Sequence, residues 1–278
     1  MLESGQKILM DAKINKKCIP QFNINNLEWA KTILETMNDL QYPVILGVSE
    51  AAIEYMGGYY TVTSLVKGLI GDLNINIPVV LHLDHGKSIE SCIKAVDSGF
   101  TSVMIDASKY SLEENIRMTS EVVKYAHTKG VMVEGELGSI GGCEDDINAT
   151  TVYTNLDDAI RYVNETKVDS FAPSIGTAHG MDRPGTVINI ELLKQLNEKI
   201  NIPLVLHGGS GISDEQMVEM IRNGICKINI NTELQVEWCK QVREYLLRDN
   251  EVYDPRKIIG SGKSAMIDII VNKVNLFR

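Results

Sequence analysis

Of the five histidines in this chain, three stand at or just past the ends of short apolar runs: His85, His179 and His207. Three neutral imidazoles that leave a fourth position open are a catalytic zinc arrangement. Taken singly, each histidine reads as a hydrogen-bonded core residue. Only elements that bring the three run ends to one rim turn them into ligands. Asp84 immediately precedes His85, and a carboxyl there is a candidate general acid/base or a partner that orients an imidazole. Asp106 and Glu136 also end apolar runs. They suit a second, harder cation site of oxygen ligands, divalent or monovalent, and equally suit hydrogen bonds to the histidines. His82 reads as a buried, satisfied histidine and His127 as a solvated helical one.

A second group of residues suits an anion. Gly208, Gly209, Ser210 and Gly211 are consecutive, and glycines there expose backbone N–H groups with no Cβ in the way. Asn229, Ile230, Asn231 and Thr232 lead into a helix whose N-terminus attracts negative charge. Arg183, just past Gly180, can add a positive charge or stand solvated in its loop.

The elements that must position these groups are legible as alternation. Eight apolar runs fall at 18–24, 43–49, 78–85, 102–108, 131–137, 170–177, 203–209 and 227–232. They are rich in Val, Ile and Leu without strict alternation, as strands buried on both faces are. Helical segments separate them. Ser111 to Glu114 spells a capping box, Ser213 to Gln216 another, and Asn155 is followed by acidic residues suited to a helix start. Strand–helix alternation means a parallel sheet, and eight strands close a (β/α)8 barrel. Residues 1–278 are expected to form that single domain. An open doubly wound sheet would call for a glycine-rich turn after the first strand, and QFNINN has none. In a barrel the candidate residues all fall at the strand C-termini, and the two anion segments follow strands seven and eight, the habitual phosphate cradle. The stretch 138–154 is Gly-rich and acidic and reads as a long functional loop over the site.

Composition excludes several classes. The net charge is −10, which argues against a sequence-independent nucleic-acid binder. No run reaches the roughly 20 apolar residues that span a bilayer. The five cysteines are odd in number, widely spaced and without a CxxC, which argues against a disulfide framework and for a reducing, cytoplasmic setting. No lysine ends a predicted strand; Lys227 opens the eighth run at the opposite rim. A lysine Schiff base is therefore disfavoured as an electron sink, and a Lewis-acidic metal is favoured.

The segments LHLDHG, SVMIDAS, EGELGSIGG followed by EDD, IGTAHG, LVLHGGSG and KININTE occur in this order over nearly the whole chain. Together they resemble the class II, zinc-dependent ketose-bisphosphate aldolases. The resemblance implies a (β/α)8 barrel, usually dimeric or tetrameric, that cleaves a ketose 1,6-bisphosphate, above all fructose 1,6-bisphosphate, to dihydroxyacetone phosphate and an aldehyde. It makes His85, His179 and His207 the zinc ligands and Asp84 the acid/base on the hydroxyl of the cleaved carbon. Asp106 and Glu136 match second-cation positions. Gly180, Gly208, Gly209, Ser210, Asn229, Ile230, Asn231 and Thr232 match contacts to dihydroxyacetone phosphate, and Ser49 matches a contact to the aldehyde half. Glu144, on the long loop, matches the residue that moves the proton on the ketose side.

Three departures stand out. Cys143 replaces a further metal-site Glu found in some members. Asp182, Arg183 and Pro184 replace the familiar Tyr-Lys-Gly, so Arg183 would stand for the phosphate lysine. Asn231 occupies a position that is Asp in many fructose-bisphosphate enzymes and Ala in tagatose-bisphosphate ones, while other fructose-bisphosphate members and inositol-pathway aldolases carry Asn. Tagatose 1,6-bisphosphate and 6-phospho-5-dehydro-2-deoxy-gluconate are thus alternative substrates, and a non-catalytic metal- or phosphate-binding barrel is the alternative of another class.

Overall fold

The computed structural model describes residues 2–138, 140–144, 147–149, 152–180 and 187–278, with the backbone alone for 141–144, 147–149 and 179. The strands are β1 (Ile19–Asn23), β2 (Val44–Ser49), β3 (Val79–Gly86), β4 (Ser102–Ile105), β5 (Met132–Leu137), β6 (Gly141–Glu144), β7 (Ile147–Ala149), β8 (Ser170–Pro173), β9 (Ala178–His179), β10 (Leu204–Leu206) and β11 (Ile225–Ile230). The helices are α1 (Gln6–Asn15), α2 (Leu27–Asp39), α3 (Glu50–Tyr55), α4 (Tyr59–Asp72), α5 (Ile89–Ser98), α6 (Leu112–His127), α7 (Leu156–Thr166), α8 (Ile190–Lys199), α9 (Asp214–Arg222), α10 (Thr232–Arg248), α11 (Pro255–Gly260) and α12 (Lys263–Phe277).

Eight strands close a parallel barrel in the order β1-β11-β10-β8-β5-β4-β3-β2. Each has a predicted run behind it. Their outward side chains join the apolar helix faces in one core that includes Phe22, Leu81, Phe171 and Leu206. Helix starts follow the expected chemistry. Ser111 accepts from the Glu114 N–H, Ser213 from Gln216, and Asn155 from Asp157 and Asp158. The Ser111 motif works in one direction only, because the Glu114 carboxylate binds Arg117 instead of turning back to the cap. Helix α1 covers the N-terminal end of the barrel, where Gly5 packs so closely that a Cβ would lie 2.6 Å from Met132 Sδ.

Three boundaries differ from the sequence expectation. The segment 138–154 is not a bare loop. Strands β6 and β7 form an antiparallel hairpin within it, and β6 pairs in parallel with β9, so Gly142 lies opposite His179. The sixth run contributes only Ser170–Pro173 to the barrel; Pro173 and Gly176 break it before it reaches β9. The eighth strand begins at Ile225 rather than at residue 227. That shift puts Lys227 in mid-strand with its side chain inside the barrel, not at the opposite rim.

The interior is unusually polar for its upper two thirds. Strand side chains alternate, so β1 turns Ile19, Gln21 and Asn23 inward, β3 turns Val80, His82 and Asp84, β5 turns Met132, Glu134 and Glu136, and β11 turns Ile225, Lys227 and Asn229. Each strand thus runs from an apolar base to a polar rim. Gly47 on β2 makes room for this, since a Cβ there would meet Gln21 Nε2 at 2.5 Å and Asn23 Oδ1 at 2.9 Å.

Candidate active site

Asp84 and His85 are consecutive, and plain strand alternation would send one of them outward. The chain avoids this with His85 in the left-handed region, at φ 51°, and a register shift against β4 between Leu83 and Gly86. The left-handed conformation costs about 1–2 kcal/mol for most residues, and His is among those that adopt it most often. His85 Nδ1 then lies 2.8 Å from Asp106 Oδ2. The other Asp106 oxygen accepts from the Ser108 N–H at 3.2 Å and the Ser108 hydroxyl at 2.7 Å. Asp106 thus holds His85 by a hydrogen bond, as the second of its two expected arrangements requires.

His207 follows β10 and is fully buried. Its Nε2 lies 3.0 Å from Glu134 Oε1, and its Nδ1 lies 3.1 Å from His85 Nε2 and 3.4 Å from Glu136 Oε2. Each ring thus turns one nitrogen to a carboxylate and the other to a common point. A carboxylate partner fixes the N–H on the outer nitrogen and presents the inner one as a donor to metal. His85, Glu136 and His207 each offer such an atom, all within 4.8 Å of one another. Glu136 belongs to this cluster by geometry.

Electrostatics agree with the geometry. Burial opposes a charged ring at both histidines. At His85 the Asp106 hydrogen bond and the charges of Asp84, Asp106 and Glu136 outweigh it, and the pKa rises to about 10. At His207 burial prevails, against the Glu134 hydrogen bond, and the pKa falls to about 4. The charged form is thus favoured on His85 and the neutral ring on His207.

Asp84 is buried beside them. Burial pushes its pKa up, but His85, His207, His82 and Lys227 together pull it well below the usual carboxylate range. It is a carboxylate at neutral pH, aimed by two amides. Asn23 Nδ2 donates to Oδ2 at 2.8 Å and Asn229 Nδ2 to Oδ1 at 3.2 Å. Ser49 lies opposite Asp84 in the β2–β3 register and caps α3 by accepting from the Ala52 N–H.

Beneath the rim sits a buried ion pair that the sequence reading missed. Lys227 Nζ donates to both Glu134 oxygens, at 2.8 and 2.7 Å, and Ser170 donates to Oε2 at 3.1 Å. Burial pushes the Glu134 carboxyl up, and Lys227, His207 and His82 pull it further down, so it stays ionised. His82 is buried as expected but satisfied at one nitrogen only. Its Nδ1 meets Ser102 Oγ at 2.6 Å, while Nε2 faces Glu134 at 4.0 Å without a hydrogen bond. A sequence signal did exist for Gln21, Asn23, Glu134 and Lys227. Polar residues spaced by two within apolar runs mark an inner barrel face.

The loop after β10 and the start of α10, expected to cradle an anion, have this local form. Gly208 has φ 69°, and a Cβ there would strike the Ala178 carbonyl oxygen at 2.2 Å. The Gly209 N–H donates to the Asn229 carbonyl at 3.1 Å. Ser210 is buried and accepts from the Glu233 N–H at 3.2 Å. Asn231, the N-cap of α10, is buried with neither side-chain atom hydrogen-bonded, and Thr232 opens the helix. The Ile230 side chain belongs to the core, so only its main chain faces this loop. Gly180 takes a positive φ of 90° after β9. The side chains of His179, Cys143 and Glu144, and all of Arg183, lie outside the described residues.

A closed parallel barrel that gathers imidazoles and carboxylates at one rim, beside a glycine-rich loop, is the architecture of a metal-dependent barrel enzyme. The family model described as Fructose-bisphosphate aldolase class-II matches residues 3–278, and the chain belongs to that family. It is an aldolase, a lyase. Relatives agree over nearly their full length. A protein of Geobacillus stearothermophilus named fructose-bisphosphate aldolase is 48% identical over 99% of this chain and 96% of its own. One of the same name from Staphylococcus epidermidis is 46% identical over 99% and 97%. Among solved structures, the YdjI aldolase from Escherichia coli K12 superposes with a TM-score of 0.86 at 30% identity, covering 100% of this chain and 97% of its own. The fructose-bisphosphate aldolase from Campylobacter jejuni does so at 0.85 and 26% identity, covering 99% and 95%.

Proposed function

We propose that this enzyme reversibly cleaves fructose 1,6-bisphosphate to dihydroxyacetone phosphate and glyceraldehyde 3-phosphate, the step that links glycolysis and gluconeogenesis, with zinc held by His85, His179 and His207. The observation that carries the metal reading is the facing pair His85 Nε2 and His207 Nδ1, 3.1 Å apart, each ring backed by a carboxylate. Two such nitrogen donors, completed by His179, would suit zinc. The substrate reading rests on the relatives named fructose-bisphosphate aldolase.

Bound zinc supplies a Lewis acid that stabilises the negative charge left on the three-carbon half. The chain supplies the rest. Asp84 takes the C4 hydroxyl proton as the C3–C4 bond breaks and the aldehyde forms. Asn23 and Asn229 hold that carboxylate in line. The bonding electrons pass to the C3 fragment, and Glu144 returns a proton to its carbon. Gly180, Gly208, Gly209, Ser210, Asn229, Ile230, Asn231, Thr232 and Arg183 bind the dihydroxyacetone phosphate half, and Ser49 the aldehyde half. Fixing one phosphate aligns the reacting carbons.

Lys227 has no part as a nucleophile, because both Glu134 oxygens hold its ammonium. The described cysteines Cys18, Cys92, Cys226 and Cys239 are free, which suits a reducing, cytoplasmic setting, and no described helix is long and apolar enough to cross a membrane; a homodimer or homotetramer is the assembly the family resemblance implies.

The test is metal content and cleavage on one sample, with fructose 1,6-bisphosphate, tagatose 1,6-bisphosphate and 6-phospho-5-dehydro-2-deoxy-gluconate as substrates. The expected result is stoichiometric zinc, a preference for the fructose sugar, and joint loss of zinc and activity in His179→Ala. A preference for another sugar overturns the substrate reading. Full zinc and full activity in His179→Ala removes His179 as a ligand.

A further inference from the structure

Glu233 occupies the first turn of α10, beside the anion cradle. A carboxylate in a first helical turn ordinarily stabilises the helix. Here it also competes with any phosphate that approaches the same N–H groups, and like charges so close weaken binding. Its environment answers that conflict. The Gly211 N–H donates to Glu233 Oε2 at 3.4 Å, and the Glu233 N–H donates to Ser210 Oγ at 3.2 Å. One residue therefore laces the GGSG loop after β10 to the helix after β11. The same Oε2 lies 3.1 Å from Lys273 Nζ. Lys273 comes from α12, the last helix, and is only 5% exposed. Its remaining described contact is Met217 Sδ of α9, at 3.9 Å. A buried lysine next to one carboxylate and a thioether has that carboxylate as its electrostatic purpose. Close by, Asn231 keeps both side-chain polar atoms buried and without partners, as a ligand-facing amide does.

We propose that Glu233 and Lys273 are positioning residues of the phosphate cradle: Glu233 ties Gly211 and Ser210 to the start of α10, and Lys273 neutralises the carboxylate so that the cradle still accepts a phosphate. The terminal helix thereby tunes the substrate's phosphate affinity without touching substrate. This inference rests on the cradle assignment above.

The two single variants test it because charge predicts opposite signs. Lys273→Met leaves Glu233 uncompensated. It should raise KM for the bisphosphate and weaken competitive inhibition by inorganic phosphate by on the order of tenfold, with kcat and zinc content kept. Glu233→Gln keeps an oxygen for Gly211 and removes the repulsion. It should bind inorganic phosphate as tightly as the parent or more so. The double variant should return to within a few-fold of the parent, and it serves as the folded control if Lys273→Met is unstable. A merely structural pair would lower thermal stability in both single variants and leave KM and phosphate inhibition unmoved. Equal phosphate affinity in Lys273→Met and Glu233→Gln overturns the proposal. Failure of inorganic phosphate to inhibit the parent enzyme overturns the cradle assignment with it.

Discussion

His85 and His207 face each other through Nε2 and Nδ1 at 3.1 Å, while their outer nitrogens rest on Asp106 and Glu134. The two carboxylates come from different places, Asp106 just past β4 and Glu134 on β5, so the facing pair is fixed from both sides. Asp106→Asn keeps the shape but loses the charge that holds His85 Nδ1–H. Zinc affinity should fall by about 10–100-fold in a competitive chelator titration, with the fold intact by circular dichroism. Unchanged affinity would falsify the orienting role of Asp106.

Removal of the metal should abolish cleavage reversibly. Dialysis against a chelator is expected to leave a folded protein with a lower melting temperature, because an ion that binds only the folded state stabilises it by mass action. Adding zinc should restore both properties together. Activity that survives with less than a tenth of the sites loaded would exclude metal from the reaction.

Asp84 is held ionised and aimed by Asn23 and Asn229. Asp84→Ala should retain zinc and lose turnover by about 10²–10⁴-fold, the usual worth of a positioned acid/base. Asn23→Ala should cost less and act on kcat rather than on metal content. Near-normal turnover in Asp84→Ala rules out its proton transfer.

The Lys227–Glu134 pair is buried at both ends. Lys227→Met strands a carboxylate in the barrel and should destabilise the protein by about 3–5 kcal/mol in urea, with weaker zinc binding as His207 loosens. Lys227→Met with Glu134→Gln should recover part of the stability. Borohydride added with substrate should trap no lysine adduct in the parent. A labelled Lys227 peptide by mass spectrometry would instead make this residue the electron sink.

At the other end of the barrel, the Tyr42 hydroxyl lies 3.1 Å from both the Cys18 and Phe277 carbonyls, which share its one proton. Burial, helped by Cys18 and opposed by Arg278, raises its pKa well above the ordinary tyrosine value. A raised folded-state pKa means stability that is complete below about pH 10 and is lost as pH climbs toward the folded value. Between about pH 10 and 12 this group alone should cost about 1.4 kcal/mol per pH unit. Urea midpoints across that window should fall less steeply in Tyr42→Phe, and an equal slope would show that Tyr42 ionises alike in both states.

Most of this architecture was open to inspection in the sequence because burial on both faces leaves a dense apolar signature. Every barrel strand had such a run behind it. Strand edges were less legible. The eighth began at Ile225, and that shift turned Lys227 from an apparent rim residue into an interior one. The hairpin of Gly141–Glu144 and Ile147–Ala149 was hidden because its partner, Ala178–His179, lies far along the chain and has no pattern of its own. At the site, residue types pointed to His85, Asp84 and His207. What they do for one another depends on interstrand distances. The shared orientation of Asp84 and His85 needs a left-handed residue that no period-two pattern contains. Asn23 and Glu134 act only through neighbours across the barrel, so their roles appear once strands are side by side.

The hairpin strand that ends at Glu144 shares backbone hydrogen bonds with the two-residue strand that ends at His179. The segment proposed to deliver a proton to the sugar is thus splinted, backbone to backbone, to the segment proposed to supply the third imidazole. Lengthening the hairpin by one residue would slide one past the other, and a defect far from the metal would register first as metal loss.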